Sequence, residues 1–521
     1  MKKSLLFLPL GLLFFGCKKD LKESDKPAVQ NLNIVTTPIA FDSSDIAPLT
    51  TQLTFSTSEA VYMEVSVLGK HGTDTDISYR FDTQDRDHEL TVLGLYPDYL
   101  NTIALAMINS EGNIIDLDTV QVQTKSELPE NLPEITIKTA QKTAMADGLT
   151  LISNYGKGMH VPFMIDHHGD IRWYLDYSGH PELNNLFYDC GIERLQNGNM
   201  YFGNNNSSHI YEVDMRGEIV NSWPLSGYFF HHNVQDKPNG NLLVTASKSG
   251  SLHDNGNGTI EDYVVELDRN GGGIIQEWDL KESLDEYRTV MRDELNESTI
   301  DWFHGNAVIY DARDNTIIVS GRTQGLVKLD YNNNVKWILG PHKAWGTDRA
   351  GNDLNQYLLT PLDASGNRIT DVEVLDGNIP HADFEWNWFQ HAPELMPNGH
   401  IILFDNGDRR EWDNGGKYSR AVEFNIDEEA MTVQQIWSYG QNRGTETFSF
   451  IVSDVDYLPK ENHVLFAPGC IRDNTSQGRN EGRVIEVDYD TQQVLFEAQF
   501  ITPPGGFVAL HRAERMTIYA D

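Results

Sequence analysis

The sequence predicts an all-β protein, a six-bladed β-propeller preceded by a small β-sandwich. Three observations carry that expectation. A unit of four short strands recurs from about residue 148 onward, and short alternating strands separated by turn residues fill residues 31–126. The last residues align with the start of a repeat, as a closed ring without a free sheet edge requires.

The elements follow in chain order. Lys2 and Lys3, the apolar run Leu5–Phe15 and Gly16-Cys17 read as an export signal over residues 1–17. That run is shorter than the roughly 20 apolar residues of a membrane-spanning helix. A small residue directly before a cysteine, followed by Lys18-Lys19-Asp20, resembles a bacterial lipoprotein signal, in which Cys17 becomes the lipidated first residue. An ordinary cleaved signal peptide is the alternative. The expectation is an exported protein that meets the membrane of the cell envelope only through a lipid anchor. Residues 18–30 are polar and charged and read as a tether.

Residues 31–126 alternate as Leu53–Phe55, Val61–Val67, Ile77–Phe81, Glu89–Val92, Ile103–Ile108 and Thr119–Val122, with turns near Gly69, Asp85–Asp87 and Gly112. This spacing predicts a small antiparallel sandwich. Leu93-Gly94-Leu95-Tyr96-Pro97-Asp98-Tyr99 resembles the tyrosine-bearing strand start of fibronectin/Ig-like modules. Ser126–Pro133 is the linker, and residues 134–521 form the propeller domain.

Within that domain the unit reads strand, Asn-Gly-type turn, apolar strand, a third strand ending in Asp, a Gly or Asn turn, then a strand carrying an aromatic residue. Clear copies span 193–223, 233–278, 306–337 and 393–437; degenerate ones span 148–173 and 454–496. That makes six. His511–Met516 aligns with Cys190–Leu195 at a repeat start, so the last strand is expected to supply an inner strand of the first blade.

The formal net charge of −37 argues against nucleic acid, whose phosphates are met by Lys and Arg. A negative substrate needs a locally positive pocket instead. Of three cysteines, Cys190 and Cys470 remain after Cys17, and two give no spacing evidence for a disulfide.

Aligning the turns exposes one register. Cys190, His232, His391 and Ser453 each lie seven residues before the turn position held by Asn197, Asn239, Asn398 and Lys460. His304 is ten before Asp314 on a longer hairpin, and His511 joins through the match of Glu514 with Glu193 and Glu394. Innermost strands of a propeller run parallel around its axis, so these imidazoles converge on the channel. Arg322 leaves the hairpin that His304 enters, and the two form a cation pair suited to an anion. Lys248, Arg409, Arg410 and Arg472 occupy equivalent loops and make the pocket basic.

At this point the residues resemble the bacterial aryl-sulfate sulfotransferases that work without an adenosine-phosphosulfate donor. The matching pieces are His231-His232-Asn233, His304-x-Asn306, Ser320-Gly321-Arg322-x-Gln324-Gly325, and Gln390-His391 followed by Phe404-Asp405-Asn406-Gly407-Asp408. The resemblance implies ping-pong transfer of a sulfuryl group from an aryl sulfate to a phenol, without a cofactor. It implies that His391 is the nucleophile, that Arg322 and His304 hold the sulfate oxygens, and that His232 serves as acid and base. Asn306 would position the sulfate and His511 would line the channel mouth. Two positions depart from the pattern: Gly305 replaces a hydroxyl residue and His511 a tyrosine, which bears on acceptor preference. Partners are then small aryl sulfates and phenols, and a homodimer stays open.

Blander readings stand beside these. Three convergent imidazoles can bind zinc, although Arg322 would repel a dication. A ligand-binding propeller without catalysis, or a metal-dependent hydrolase or lyase, are the alternatives. His167-His168 reads as a solvated turn, the recurring Trp173, Trp223, Trp278, Trp337 and Trp437 as blade packing. Asp405 and Asp408 could orient His391 or cap a turn. Gly271-Gly272-Gly273 is a hairpin loop and no phosphate cradle, because no helix follows. The insertion Ala344–Trp388 is expected to cover the pocket, with Trp386, Trp388 or Phe389 as an aromatic wall; a packed surface excursion is the alternative.

Overall fold

The computed structural model describes residues 34–520 apart from 125–127, 131, 157–158, 185–191, 196, 205–207, 292–296, 411–416, 473–479 and 503–506. The signal, Cys17 and the tether lie outside the described residues, as does Cys190, so its pairing with the buried Cys470 does too.

The amino-terminal strands form the sandwich expected, with two differences, the first being that Asp85–Asp87, expected as a turn, opens the strand Asp85–Leu93. The second is that Leu53–Phe55 and Val61–Val67 belong to a single long strand, Thr50–Val67. Its first half pairs with Asp85–Leu93 and its second with Leu100–Ile108, with an irregularity between Ser56 and Val61. The polar break that reads as a turn in sequence is the point where the strand passes from one sheet to the other. Tyr96 is fully buried, and its ring lies 3.8 Å from the guanidinium of Arg172, which seats the sandwich on the propeller.

Beyond Glu134 the regular structure is almost all strand, and its antiparallel sheets follow the repeat. Successive blades contain the paths 193–224, 228–279, 305–339, 391–439 and 454–501. A further blade joins Leu149–Gly156, Phe163–Ile165 and Ile171–Tyr174 to the carboxy-terminal strand Val508–Met516, which lies innermost. Glu134–Ala140 adds to the outer edge of the last blade. Both ends of the domain are thus hydrogen-bonded across the closure, leaving the ring without an open seam.

The recurring tryptophans have a more specific role than packing. Trp173, Trp223, Trp278 and Trp437 each donate their indole N–H to a backbone carbonyl in the next blade, those of Met215, Arg269, Asp330 and Tyr489, all at 2.8 Å. Trp337 occupies the same repeat position, yet its buried N–H has no partner. Near the axis, polar side chains of one inner strand accept backbone N–H groups of the next: Asn233 from Val308, Gln235 from Tyr310, Glu394 from Tyr457 and Asp454 from Ala513.

The insertion is not a lid. Its strand Thr360–Leu362 pairs in parallel with Thr432–Tyr439, the outermost strand of its blade and the one farthest from the channel. Among the described residues no helix is long and apolar enough to cross a membrane.

Candidate active site

Each histidine of the predicted register stands at an irregularity in an inner strand. The strand pairings shift between Phe230 and Val234, Gly305 and Ala307, His391 and Glu394, and Leu510 and Arg512. A bulge turns the chain so that a side chain is re-aimed out of the pleat. The backbone is held in the left-handed region at His232 (φ 58°), His304 (φ 55°) and Ala392 (φ 46°). For a residue with a Cβ such a conformation costs about 1–3 kcal/mol and persists where the surroundings enforce it.

These bulges bring the imidazoles together. The ring of His232 lies 4.9 Å from that of His304 and 5.7 Å from that of His511, and all three are buried. His391, also buried, is near enough for Arg322 and His304 to act on its charge. Arg322 reaches toward Asp301 at 3.6 Å, and its guanidinium stands 5.5 Å from the Phe389 ring, two residues before His391. Arg409 flanks the same ring at 5.8 Å. All three aromatic candidates, Trp386, Trp388 and Phe389, are buried in one core cluster, and Phe389 is the one whose ring Arg322 and Arg409 flank.

His391 has a defined tautomer. Its Nδ1 is 2.8 Å from Asn406 Oδ1 and 3.0 Å from the Phe389 carbonyl. Asn406 Nδ2 donates to the carbonyls of Ser449 and Val452, which fixes its amide so that Oδ1 faces the imidazole. Both partners of Nδ1 are acceptors, so Nδ1 carries the proton and Nε2 the lone pair. Burial, followed by Arg322 and His304, holds the group down to about 3 against the opposing effect of Asn406. His391 is neutral at any ordinary pH.

His304 is its opposite. Burial and Arg322 work against its charge, but Nδ1 meets Asp301 Oδ2 at 2.5 Å and Glu261 Oε2 at 2.7 Å, and these carboxylates push it up to about 9. It is an imidazolium at neutral pH. Burial opposes ionisation of Glu261, yet His304, His231 and Arg322 keep its carboxylate down at about 2. His232 is driven well below its ordinary value by burial and by the neighbouring imidazoles, His304 first.

Asn306 donates to the Gln390 carbonyl at 2.7 Å, and Gln390 Nε2 reaches Ser320 Oγ and the Gly321 carbonyl. Asn306 thus ties the His304 strand to the segment bearing His391, with its buried Oδ1 lacking a partner. Asp405 does not touch His391 in any bond described; it accepts from the Trp388 and Gly407 amides and pairs with Arg410 and Arg420. The pocket is less uniformly basic than its loops suggest, since Arg410 is bound to Asp405 and Lys248 to Glu277. Glu261 and Asp301 carry negative charge into the site. Asp301 was within reach of sequence reasoning, three residues before His304; Glu261 comes from the preceding blade with no spacing to reveal it. Ligand atoms of His231, His232 and Glu261, and of Glu261, Asp301 and His304, lie within 4.8 Å of one another and could hold a metal ion.

Comparison with known proteins follows the same lines. The arylsulfotransferase (ASST) family matches residues 134–504, and the arylsulfotransferase Ig-like domain matches residues 39–125. The arylsulfate sulfotransferase AssT of Escherichia coli O6:H1 is 32% identical over 384 residues, covering 65% of this chain and 62% of the relative. That of Lelliottia amnigena is 28% identical over 549 residues, covering 89% of this chain and 90% of the relative. Among solved structures, the periplasmic gluconolactonase PpgL of Pseudomonas aeruginosa is 11% identical with a TM-score of 0.31, covering 87% of this chain and 100% of that one. With its Ig-like sandwich and a propeller matched over most of its length, the chain belongs to the arylsulfotransferase family of sulfotransferase enzymes.

Proposed function

We propose that the protein transfers a sulfuryl group from an aryl sulfate to a phenol in two displacements through a sulfohistidine on His391. The observation that carries this reading is the lone pair at His391 Nε2, left by a protonated Nδ1 and a pKa near 3, beside two fixed cations. In the first displacement Nε2 attacks sulfur, the N–S bond forms and the S–O bond to the aryl group breaks. Arg322 and the His304 imidazolium offer donors to the non-bridging oxygens, where negative charge is concentrated. Asp301 and Glu261 orient His304 and keep it charged. In the second displacement a phenol oxygen attacks sulfur and His391 is restored.

His232 serves as base in the second step, taking the acceptor's proton as a neutral imidazole. In the first step the sulfate ester's negative charge offsets the repulsion from His304, so His232 can carry the proton that the departing phenolate takes. Such help is typically worth about 10²–10⁴-fold. Asn306 and His511 position the ester and its ring. The amino-terminal sequence supports export, with Cys17 as a lipid anchor.

The test is nitrophenol release from nitrophenyl sulfate. Release should rise when phenol is added, be indifferent to chelator and disappear in His391→Ala, and brief acid-free quenching should yield protein heavier by one sulfuryl group. The clustered ligand atoms around Glu261 favour a second reading, a metal-dependent hydrolase. Loss of turnover on chelation, with no response to phenol, would establish it instead.

A further inference from the structure

The His167-His168 turn, far along the chain from the channel histidines, is solvated only in part: His168 is exposed and His167 is buried. It faces the sandwich. Ligand atoms of Asp74, His167 and His168 lie within 4.8 Å of one another. His167 Nε2 stands 3.4 Å from Asp74 Oδ2, and His168 Nε2 stands 4.0 Å from the same oxygen. The two imidazoles are 4.4 Å apart at 44°. Tetrahedral zinc, with bonds of about 2.0–2.1 Å to nitrogen and oxygen, separates its ligand atoms by about 3.3–3.5 Å. The gaps found here close on that spacing with small side-chain rotations.

We propose that Asp74, His167 and His168 form a divalent metal site, suited to zinc, that fastens the amino-terminal sandwich to the propeller. A second observation points to a missing ligand: His167 is 7% exposed, and its Nε2 is buried without a hydrogen-bond partner. Its contact with Asp74 Oδ2 at 3.4 Å falls short of hydrogen-bond geometry, so the buried nitrogen still wants a closer partner. The turn is held rigid around it. Asp166 Oδ1 accepts from the His168 and Asp170 amides, while Asp166 Oδ2 is taken by Arg172, so this carboxylate shapes the turn rather than competing for the ion. His71, bonded to Asp170 at 2.7 Å, stacks on His168 at 4.2 Å and limits its rotation. Two imidazoles and one carboxylate leave a fourth position for water, and the borderline-soft donor set selects zinc over calcium or magnesium. The ligands come from both domains, so the metal binds the docked arrangement and stabilises it by mass action.

The purified full chain, equilibrated with zinc chloride and dialysed, is compared with Asp74→Ala/His168→Ala by elemental analysis, thermal unfolding and nitrophenyl sulfate turnover. The side chains of His168 and Asp74 are 39% and 48% exposed, so these replacements leave the core intact. The wild-type chain should retain about one zinc more than the variant. Its unfolding temperature should rise with zinc where the variant's does not, at equal turnover. Cobalt should give the visible absorption of a tetrahedral ion in the wild type alone. Equal zinc content and equal thermal response in the two chains would overturn the proposal. So would zinc that stays bound in this variant and is lost in His304→Ala, since the metal would then sit in the channel.

Discussion

His304 and His391 are the same side chain held in opposite charge states, and the difference comes from what touches Nδ1. His391 gives its Nδ1–H to neutral acceptors, an amide oxygen and a carbonyl, whereas His304 gives it to the Asp301 carboxylate with that of Glu261 2.7 Å away. Their titrations bracket the working range. The proposed mechanism needs His391 neutral and His304 charged, so kcat/KM for nitrophenyl sulfate should hold steady through neutral pH and fall as pH rises through about 9. The linkage has the same sign: the stability His304 gains from its carboxylates is complete below about pH 6.5 and lost as pH passes 9. Asp301→Asn removes the closest carboxylate and should shift that falling limb to lower pH. A pH–rate profile in the absence of added phenol checks this, and an unmoved limb would show that His304 does not govern it.

At the scale of strands and loops, what could be read in sequence was whatever repeats locally. Turn residues, apolar runs and tryptophans at fixed spacing give the blades, and the histidine register follows from counting back from each turn. The bulges that aim those histidines do not show in the spacing, because each depends on pairing with a strand beyond the turn. Nor does Glu261, which meets His304 from the preceding blade. The insertion 344–388 misled for a similar reason, since its attachment to the outer strand is a parallel pairing with residues about seventy positions later. The tryptophan repeat permits a sharper test than its spacing suggested. Trp278→Phe deletes an interblade hydrogen bond and strands the Asp330 carbonyl, while Trp337→Phe deletes an N–H that has no partner. Both rings are buried, so their packing losses are comparable. Trp278→Phe should be the more destabilising by about 1–2 kcal/mol in thermal or urea unfolding. Equal losses would mean that the indole bonds contribute nothing net.

On the scale of the whole ring, the channel beyond the histidines has a different character from the catalytic mouth. A cavity of about 420 Å³ is lined by Glu394, Asp454, Asp456 and Glu514 with Arg512 among them. They stand on inner strands of three blades, among them the carboxy-terminal strand that closes the ring. Arg512 pairs with Asp454 at 3.1 Å and opposes, without cancelling, the like charge that Asp456 and Glu514 meet. Burial, then Asp454, pushes Glu394 and Glu514 each up to about 7, and burial with Asp454 and Glu514 carries Asp456 upward as well. These groups hold protons in the folded ring that the unfolded chain, titrating near 4.3, has already released. Between those values these carboxyls bind more protons in the folded state, so their own contribution to stability falls as pH rises toward and through 7. The net charge of −37 adds little slope in this window, because exposed carboxylates are already ionised below pH 5. These carboxylates therefore contribute a loss on the order of 1–3 kcal/mol between pH 5.5 and pH 8, set against the opposite slope of the buried neutral imidazoles such as His391 and His232. Glu514→Gln keeps the shape of the closing strand and removes one titrating group, so relative to the unaltered chain it should gain stability progressively from pH 5.5 to pH 8. If its slope matched that of the unaltered chain, the pH response would have to arise outside the channel, and the carboxylates would be spectators of closure.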